Sequence, residues 1–261
     1  MFRLIISITM AMFALLIMGC DIHEDSEDGV YSKATERGGH RVTKDELPPE
    51  LVLYMPFESD TITGREVKDI TSYGNNGIII NDPKIVKGYR GDALDFTNDS
   101  IEVGISESLS RTVSEITMEV WAFARTRSMN DIISRWDYDR DGIIHLEVRA
   151  GGQIRFCMRN DDNLAFIDLT TATSFPAGEW VHIAATYDGE TARIYLNGVQ
   201  VANRGSIGIM RDNDAVRLWI GSMHGADRWF DGMIDEVCIW SKALNPEEIR
   251  KSMDGTLISG G

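Results

Sequence analysis

The sequence predicts an all-β sandwich, and three observations carry that prediction. From Leu51 onward the apolar runs are short, turn residues interrupt them repeatedly, and helical periodicity is confined to one stretch near the C-terminus. The chain has 261 residues, 43% hydrophobic and 26% charged, which fits a soluble globular chain and excludes a collagen or a polytopic membrane protein. The part from Leu51 on is roughly 200 residues, an ordinary size for one large sandwich.

Residues 1–19 read as an export signal. Arg3 supplies the positive charge, and Leu4 to Met18 is apolar and uncharged. The run is shorter than the roughly 18 or more residues of a spanning helix. Leu16-Ile17-Met18-Gly19-Cys20 resembles a bacterial lipobox, with an aliphatic residue three places before the Cys and Gly directly before it. The resemblance implies that Cys20 becomes a lipidated N-terminus, held stably because several acyl chains anchor far better than one. It also implies an exported protein at the bacterial cell envelope. Residues 20–49 carry many charges and little apolar pattern, and end at Pro48-Pro49, so they read as a flexible acidic tether. The domain is then expected over 50–258.

Lys plus Arg number 26 and Asp plus Glu 41, a formal charge of −15 that becomes −16 once Arg3 is removed with the signal. Such a chain repels phosphate backbones, so nucleic acid is not expected as a partner. It suits neutral ligands and hard cations such as calcium.

Several turns can be placed from their residues. Asn197-Gly198 between Arg193–Leu196 and Val199–Val201 is a two-residue hairpin signal. Asp188-Gly189 joins Trp180–Tyr187 to the same strand, so residues 180–203 are expected to form a three-strand meander. Gly151-Gly152 links Ile143–Arg149 to Gln153–Met158, and Asp141-Gly142 links Asp131–Trp136 to Ile143. Thr117–Ala124 alternates Met118, Val120 and Ala122 against Trp121 and Phe123. Asn245-Pro246-Glu247-Glu248 is a helix start, with Asn as N-cap, Pro at the first helical position and Glu at the third, predicting about two turns to Met253.

Four blocks in order resemble the laminin G-like, concanavalin A-like jelly roll. They are Gly91-Asp92-Ala93-Leu94-Asp95-Phe96, Ile116–Trp121, the Glu179–Gly198 meander, and Phe230-Asp231-Gly232-Met233-Ile234-Asp235-Glu236-Val237-Cys238-Ile239-Trp240 with the helix after it. The loop Asp69–Gly77 matches as well. The resemblance implies a jelly roll of two antiparallel sheets. It also implies a structural calcium on Asp235, with Glu58 and the backbone near Gly91 as further oxygens.

Asp137-Tyr138-Asp139-Arg140-Asp141-Gly142 begins like a calcium loop, with carboxylates at positions 1, 3 and 5. Position 12 is Val148, with Glu147 one place early, so the favoured reading is an acidic hairpin turn and a metal site on Asp137, Asp139 and Asp141 is the alternative. Trp136, Tyr138 and Trp229 stand in loop-like contexts, where aromatic faces can stack on sugar rings. Trp121, Trp180, Trp219, Trp240 and Phe230 fall inside strand patterns and read as core.

Catalytic signals are thin. The glycoside hydrolases of this fold carry Glu-x-Asp-x-x-Glu on one strand, and the sequence has no such motif. Asp235 and Glu236 are adjacent, so on a regular strand they would point to opposite faces. His145, His182 and His224 lack a recognisable Ser or Cys nucleophile motif, and His182 reads as a strand residue with a satisfied hydrogen bond. With Cys20 lipidated, Cys157 and Cys238 remain as a possible disulfide, which requires Cα atoms within about 7 Å. The reading is a non-catalytic, surface-anchored, carbohydrate-binding module stabilised by calcium. A protein-binding adhesion scaffold is the alternative, and a hydrolase or lyase is more distant.

Overall fold

The computed structural model describes residues 47–110, 114–136, 142–211 and 216–258. The signal, Cys20, most of the tether, and Asp137, Tyr138, Asp139 and Asp141 lie outside the described residues. In chain order the first strands are β1 Leu51–Met55, β2 Ile62–Thr63, β3 Glu66–Val67, β4 Gly77–Ile80, β5 Lys84–Lys87, β6 Asp92–Phe96 and β7 Ser100–Val103. After the one-turn helix α1 Glu107–Ser110 come β8 Ile116–Ala124, β9 Asn130–Arg135, β10 Ile144–Val148, β11 Gln153–Arg159 and β12 Ala165–Ser174. The last elements are β13 Val181–Tyr187, β14 Thr191–Leu196, β15 Val199–Gly205, β16 Leu218–Ile220, β17 Gly232–Trp240 and α2 Pro246–Met253.

Two antiparallel sheets result. An eight-stranded sheet runs β15-β14-β13-β8-β17-β6-β5, with β1 also paired to β17. A nine-stranded sheet runs β12-β11-β10-β9-β16-β7-β4-β3-β2. The alternation of side chains makes the core between them. Ile144, Leu146 and Val148 of β10 and Ile154, Phe156 and Met158 of β11 point inward, against Met118, Val120 and Ala122 of β8 and their neighbours. The expected turns at Gly151-Gly152, Asp188-Gly189 and Asn197-Gly198 are present, while Asp141 of the fourth lies outside the described residues. Asn197 and Gly198 both take positive φ, 49° and 74°, as a two-residue hairpin of matching twist requires.

The outward face of β8 is buried too, because other elements cover it. Helix α2 begins as its sequence dictates. Asn245 accepts from Glu247 N and Glu248 N, and the Glu248 side chain accepts from Asn245 N. Its Ile249 packs with Tyr54, Tyr195, Cys238, Trp240 and Leu244 in a second apolar cluster, which Leu47 also joins. Among the residues expected in the core, Trp121, Trp240 and Phe230 are buried, whereas Trp180 and Trp219 are only half-buried.

Strand β17 organises the rim of the sandwich. Its first half pairs with β6, Ile234 opposite Leu94, and its second half with β1, Val237 opposite Met55. The partner changes at Asp235 and Glu236, where the register to β8 also shifts and Glu236 has φ 53°. This bulge brings the segment after β1 and the segment before β6 to the same two carboxylates.

Candidate functional site

The first cluster sits at that junction. Glu58, just past β1, is 2% exposed, Asp235 0% and Glu236 5%. Asp235 Oδ2 accepts from Arg90 N at 3.0 Å, and Glu236 Oε2 accepts from Arg90 Nη1 at 2.8 Å and from the Tyr54 hydroxyl at 2.9 Å. The two adjacent carboxylates thus converge on one residue. The expectation that they point to opposite faces fails because the bulge interrupts the alternation. Glu58 Oε2 accepts from Asp92 N at 3.1 Å. The turn between β5 and β6 is pressed against these acids. A Cβ on Gly91 would run into the Glu58 carboxylate, and one on Gly88 would lie 2.6 Å from Asp235 Oδ2 and 2.7 Å from Arg90 O.

Buried oxygens are left without a hydrogen-bond donor among the described residues: Glu58 Oε1, Asp235 Oδ1 and Glu236 Oε1. Burial first, and then the Glu236 charge, lifts the Asp235 pKa to about 9. Burial lifts that of Glu58 to about 7 in spite of the Asp92 N–H. These are hard oxygens with excess negative charge beside two glycines that admit close backbone approach. That donor chemistry fits calcium. Glu58, Gly91 and Asp235, named from the sequence, lie together, and Glu236 and Gly88 join them.

The second cluster lies on the outer face of the nine-stranded sheet. Cross-strand pairing sets Asp131 of β9 opposite Glu147 of β10, and His145 of β10 opposite Cys157 of β11. A register shift at Leu146/Glu147 allows Ile132 and Ile133 both to enter the core while Asp131 faces its neighbours on the outside. His145 Nδ1 is 3.4 Å from Asp131 Oδ1 and 3.9 Å from Glu147 Oε2. Glu147 also accepts from Arg149 at 3.1 Å, Arg155 at 3.0 Å and Arg228 at 2.7 Å. Arg155 in turn forms a fork with Asp168 of β12, at 2.6 and 2.9 Å.

Burial disfavours the His145 imidazolium. Hydrogen bonds to Asp131 and Cys157 and the charges of Asp131 and Glu147 outweigh it and lift the pKa to about 9. Arg155 Nη1 stands 3.1 Å from His145 Nε2 and can only donate, so it favours a lone pair there. Both influences place a proton on Nδ1, between the two acids. Burial likewise opposes the ionised Glu147, but His145 and the arginines bring its pKa below the ordinary value. The ligand atoms of Asp131, His145 and Glu147 lie within 4.8 Å of one another, the spacing of a metal site. The arginine collar already supplies the positive charge that a cation would bring.

The loop from β16 to β17 covers this cluster. Arg228 O accepts from Asp131 N, and Met223 O accepts from the Ser134 hydroxyl. Trp136 lies here, half-buried and packed against two side chains. The His145 ring stacks 4.8 Å away at 19°, and the Arg159 guanidinium lies 4.4 Å from the ring centroid. It is a packing residue in this arrangement, not the open stacking platform expected. Trp229 is half-buried beside Arg228.

The eight-stranded sheet carries a third group. Tyr89, 46% exposed, stacks on Trp121 with centroids 3.4 Å apart, and Trp180 meets both Tyr89 and Phe123 edge-on. Behind them His182 is buried with Nε2 3.6 Å from Glu119 Oε1, and its Nδ1 has no hydrogen-bond partner among the described residues. The expectation of a satisfied histidine is therefore corrected. Burial, and then the Arg90 charge, keep it neutral with a pKa of about 3.

The disulfide is also corrected: Cys157 and Cys238 are both free and buried. Cys157 faces outward from the nine-stranded sheet beside His145, while Cys238 faces outward from the eight-stranded sheet under α2. Two sheets and the core separate the sulfurs, far more than the roughly 7 Å between Cα atoms that a bridge spans.

Two antiparallel sheets, the rim cluster on the closing strand and the C-terminal helix define a jelly-roll sandwich. Residues 95–250 match the family model Laminin_G_3, the Concanavalin A-like lectin/glucanases superfamily, and the chain belongs to this family. Pappalysin-1 of Mus musculus is 25% identical over 179 residues, 62% of this chain and 11% of that protein. Pappalysin-1 of Homo sapiens is 28% identical over 102 residues, 38% of this chain and 6% of that protein. The chain therefore spans a small part of the length of these curated relatives.

Among solved structures, the binding domain of Paraclostridial Mosquitocidal Protein 1 is similar with a TM-score of 0.64 and 19% identity, over 79% of this chain and 52% of that one. Domain 4 of AbnA, an extracellular arabinanase from Geobacillus stearothermophilus in complex with arabinotriose, gives 0.61 and 16%, over 77% of this chain and 97% of that one. The receptor binding domain of a botulinum neurotoxin C/D mosaic serotype gives 0.60 and 16%, over 79% and 51%. At these identities the likeness is one of fold.

Proposed function

We infer that the chain is a non-catalytic binding module for carbohydrate or another cell-surface ligand, held rigid by a calcium ion at Glu58, Asp235 and the carbonyls of the 88–92 turn. The observation that carries this reading is the outer face of β9–β11. There a buried histidine and two buried carboxylates fix a set of polar side chains at the surface without being exposed themselves. Preorganised polar groups on a rigid sheet are what sugar recognition requires. The binding domains among the similar folds, one of them in complex with arabinotriose, support the reading.

A hydrolase is less well supported. Asp131 and Glu147 flank the His145 imidazole, not a space for a glycosidic oxygen, and both are fully buried. The lipobox-like Leu16–Cys20 and the acidic residues after it support an exported protein with a lipid anchor on Cys20 and a spacer beneath the domain.

A glycan-binding screen of the full chain, in calcium and in chelator, tests the function. Saturable binding to defined glycans, weakened by chelator and by Asp235→Asn, is the expected result. A blank across the screen from protein that is folded by circular dichroism would overturn it.

A further inference from the structure

The chain is strongly acidic, yet one end of the nine-stranded sheet gathers arginines. Arg149 ends β10, Arg155 lies near the start of β11, and Arg228 hydrogen-bonds through its backbone to the start of β9. Arg127 belongs to the same end, since its carbonyl accepts from Gly151 N and its side chain runs over Gly152. All four stand at the end of these strands away from Trp136 and Gly142.

The carboxylates beside them are inward-facing or already engaged. Glu147 is fully buried and takes one hydrogen bond from each of Arg149, Arg155 and Arg228. Asp168 is matched by the fork of Arg155, and Asp227 turns back to accept from Arg228 N. Asp131 is engaged by His145.

Glu147 uses only Nη1 of Arg149 and of Arg228, whose side chains are 41% and 29% exposed. Among the described residues their Nε and Nη2 groups make no hydrogen bond, and Arg127 stands exposed next to them. Each guanidinium is a planar fork, and here one prong is anchored to a buried acid while the others face solvent. Such a fork matches the two oxygens of a carboxylate or sulfate, and anchoring removes much of the entropy that a long side chain loses on binding.

Building on the carbohydrate-binding reading above, we propose that Arg127, Arg149 and Arg228 form a subsite for an anionic saccharide, one bearing carboxylate or sulfate groups. The buried Glu147, beside His145 and Asp131, positions the forks of Arg149 and Arg228. Recognition is local, because the overall charge of −15 repels a polyanion everywhere else. Binding is therefore selective for saccharides that place an acidic group on this end of the sheet, and it weakens with salt.

The test is affinity electrophoresis and titration calorimetry of the full chain, with calcium, against polygalacturonate, dextran sulfate, and neutral dextran and arabinan. Binding to one or both charged polymers, falling with ionic strength, is expected, and which one binds separates carboxylate from sulfate recognition. Arg127→Ala with Arg149→Ala, both surface changes, should weaken it roughly tenfold or more, since each removes charge-assisted hydrogen bonds. An unchanged melting temperature would certify that double variant, and Arg149→Lys would keep the charge but lose the fork, recovering binding only in part. Equal binding to neutral polymers, indifferent to the double variant, would overturn the anionic subsite and leave the carbohydrate reading standing. Failure to bind any polymer would overturn both.

Discussion

The two buried acid clusters of this sandwich are built from the same side chains and solve opposite problems. At the rim, only Glu236 has a guanidinium, that of Arg90, while Asp235 and Glu58 accept from backbone N–H groups, and all three keep an oxygen without a donor among the described residues. On the outer face of the nine-stranded sheet, Glu147 alone collects three guanidiniums and Asp131 has His145. The pKa directions follow the guanidiniums: Glu58 and Asp235 are pushed up, as burial also pushes up Asp131, and only Glu147 is held down. A carboxylate cluster short of positive charge has room for a cation from outside. A carboxylate matched by several guanidiniums, as Glu147 is, serves to hold its partners in place.

The largest expected effect comes from breaking the matched cluster. Glu147→Gln removes the charge that Arg149, Arg155 and Arg228 share, although Arg155 keeps Asp168, and should cost about 1.5–3 kcal/mol, the range for losing hydrogen bonds to a charged group. Urea denaturation measures it. A loss under about 1 kcal/mol would mean that water already screens the pair, as at an exposed salt bridge.

The rim should respond to pH and calcium. In chelator, Asp235 and Glu58 have folded pKa values above their unfolded ones, so their protonated forms favour the folded state. Their contribution is present below about pH 4, the unfolded carboxylate range. It is lost as pH rises through about 7 for Glu58 and about 9 for Asp235. The melting temperature in chelator should therefore fall from pH 5 to pH 9, and calcium should raise it more at pH 8 than at pH 5. Asp235→Asn should remove the calcium response. A calcium effect independent of pH, or unaltered in that variant, would place the ion elsewhere.

The smallest effect expected is none. A disulfide between Cys157 and Cys238 would tie the neighbourhoods of the two clusters together, and the structure keeps them apart. A reductant should leave the melting curve unmoved.

What the sequence disclosed depended on the range of the interaction. The hairpin at Asn197-Gly198 and the cap at Asn245 are local chemistry and are found where they were expected. Glu58, Gly91 and Asp235 came from a resemblance between motifs, not from spacing, since 144 residues separate the last two in the chain. Glu236 escaped notice because a regular strand would send it away from Asp235, and nothing local announces a bulge at a non-glycine residue. The Asp131–His145–Glu147 cluster escaped because two strands meet side by side there with a register shift that neither strand encodes by itself. Trp136 looked like a ligand platform because its loop context is visible in the sequence, while the ring and guanidinium packed against it are not.

The place of β17 has a consequence for when the molecule can form at all. This strand joins β1, β6 and β8, and pairs Trp240 with Leu51 from the other end of the domain. Until the ribosome has released it, the middle of one sheet is missing and the rim acids have no strand to converge on. Few local contacts can compensate in a topology dominated by distant pairings, which also makes folding slow. The domain therefore stays open until β17 has been made, and a stop codon anywhere before Gly232 yields no smaller working version of it.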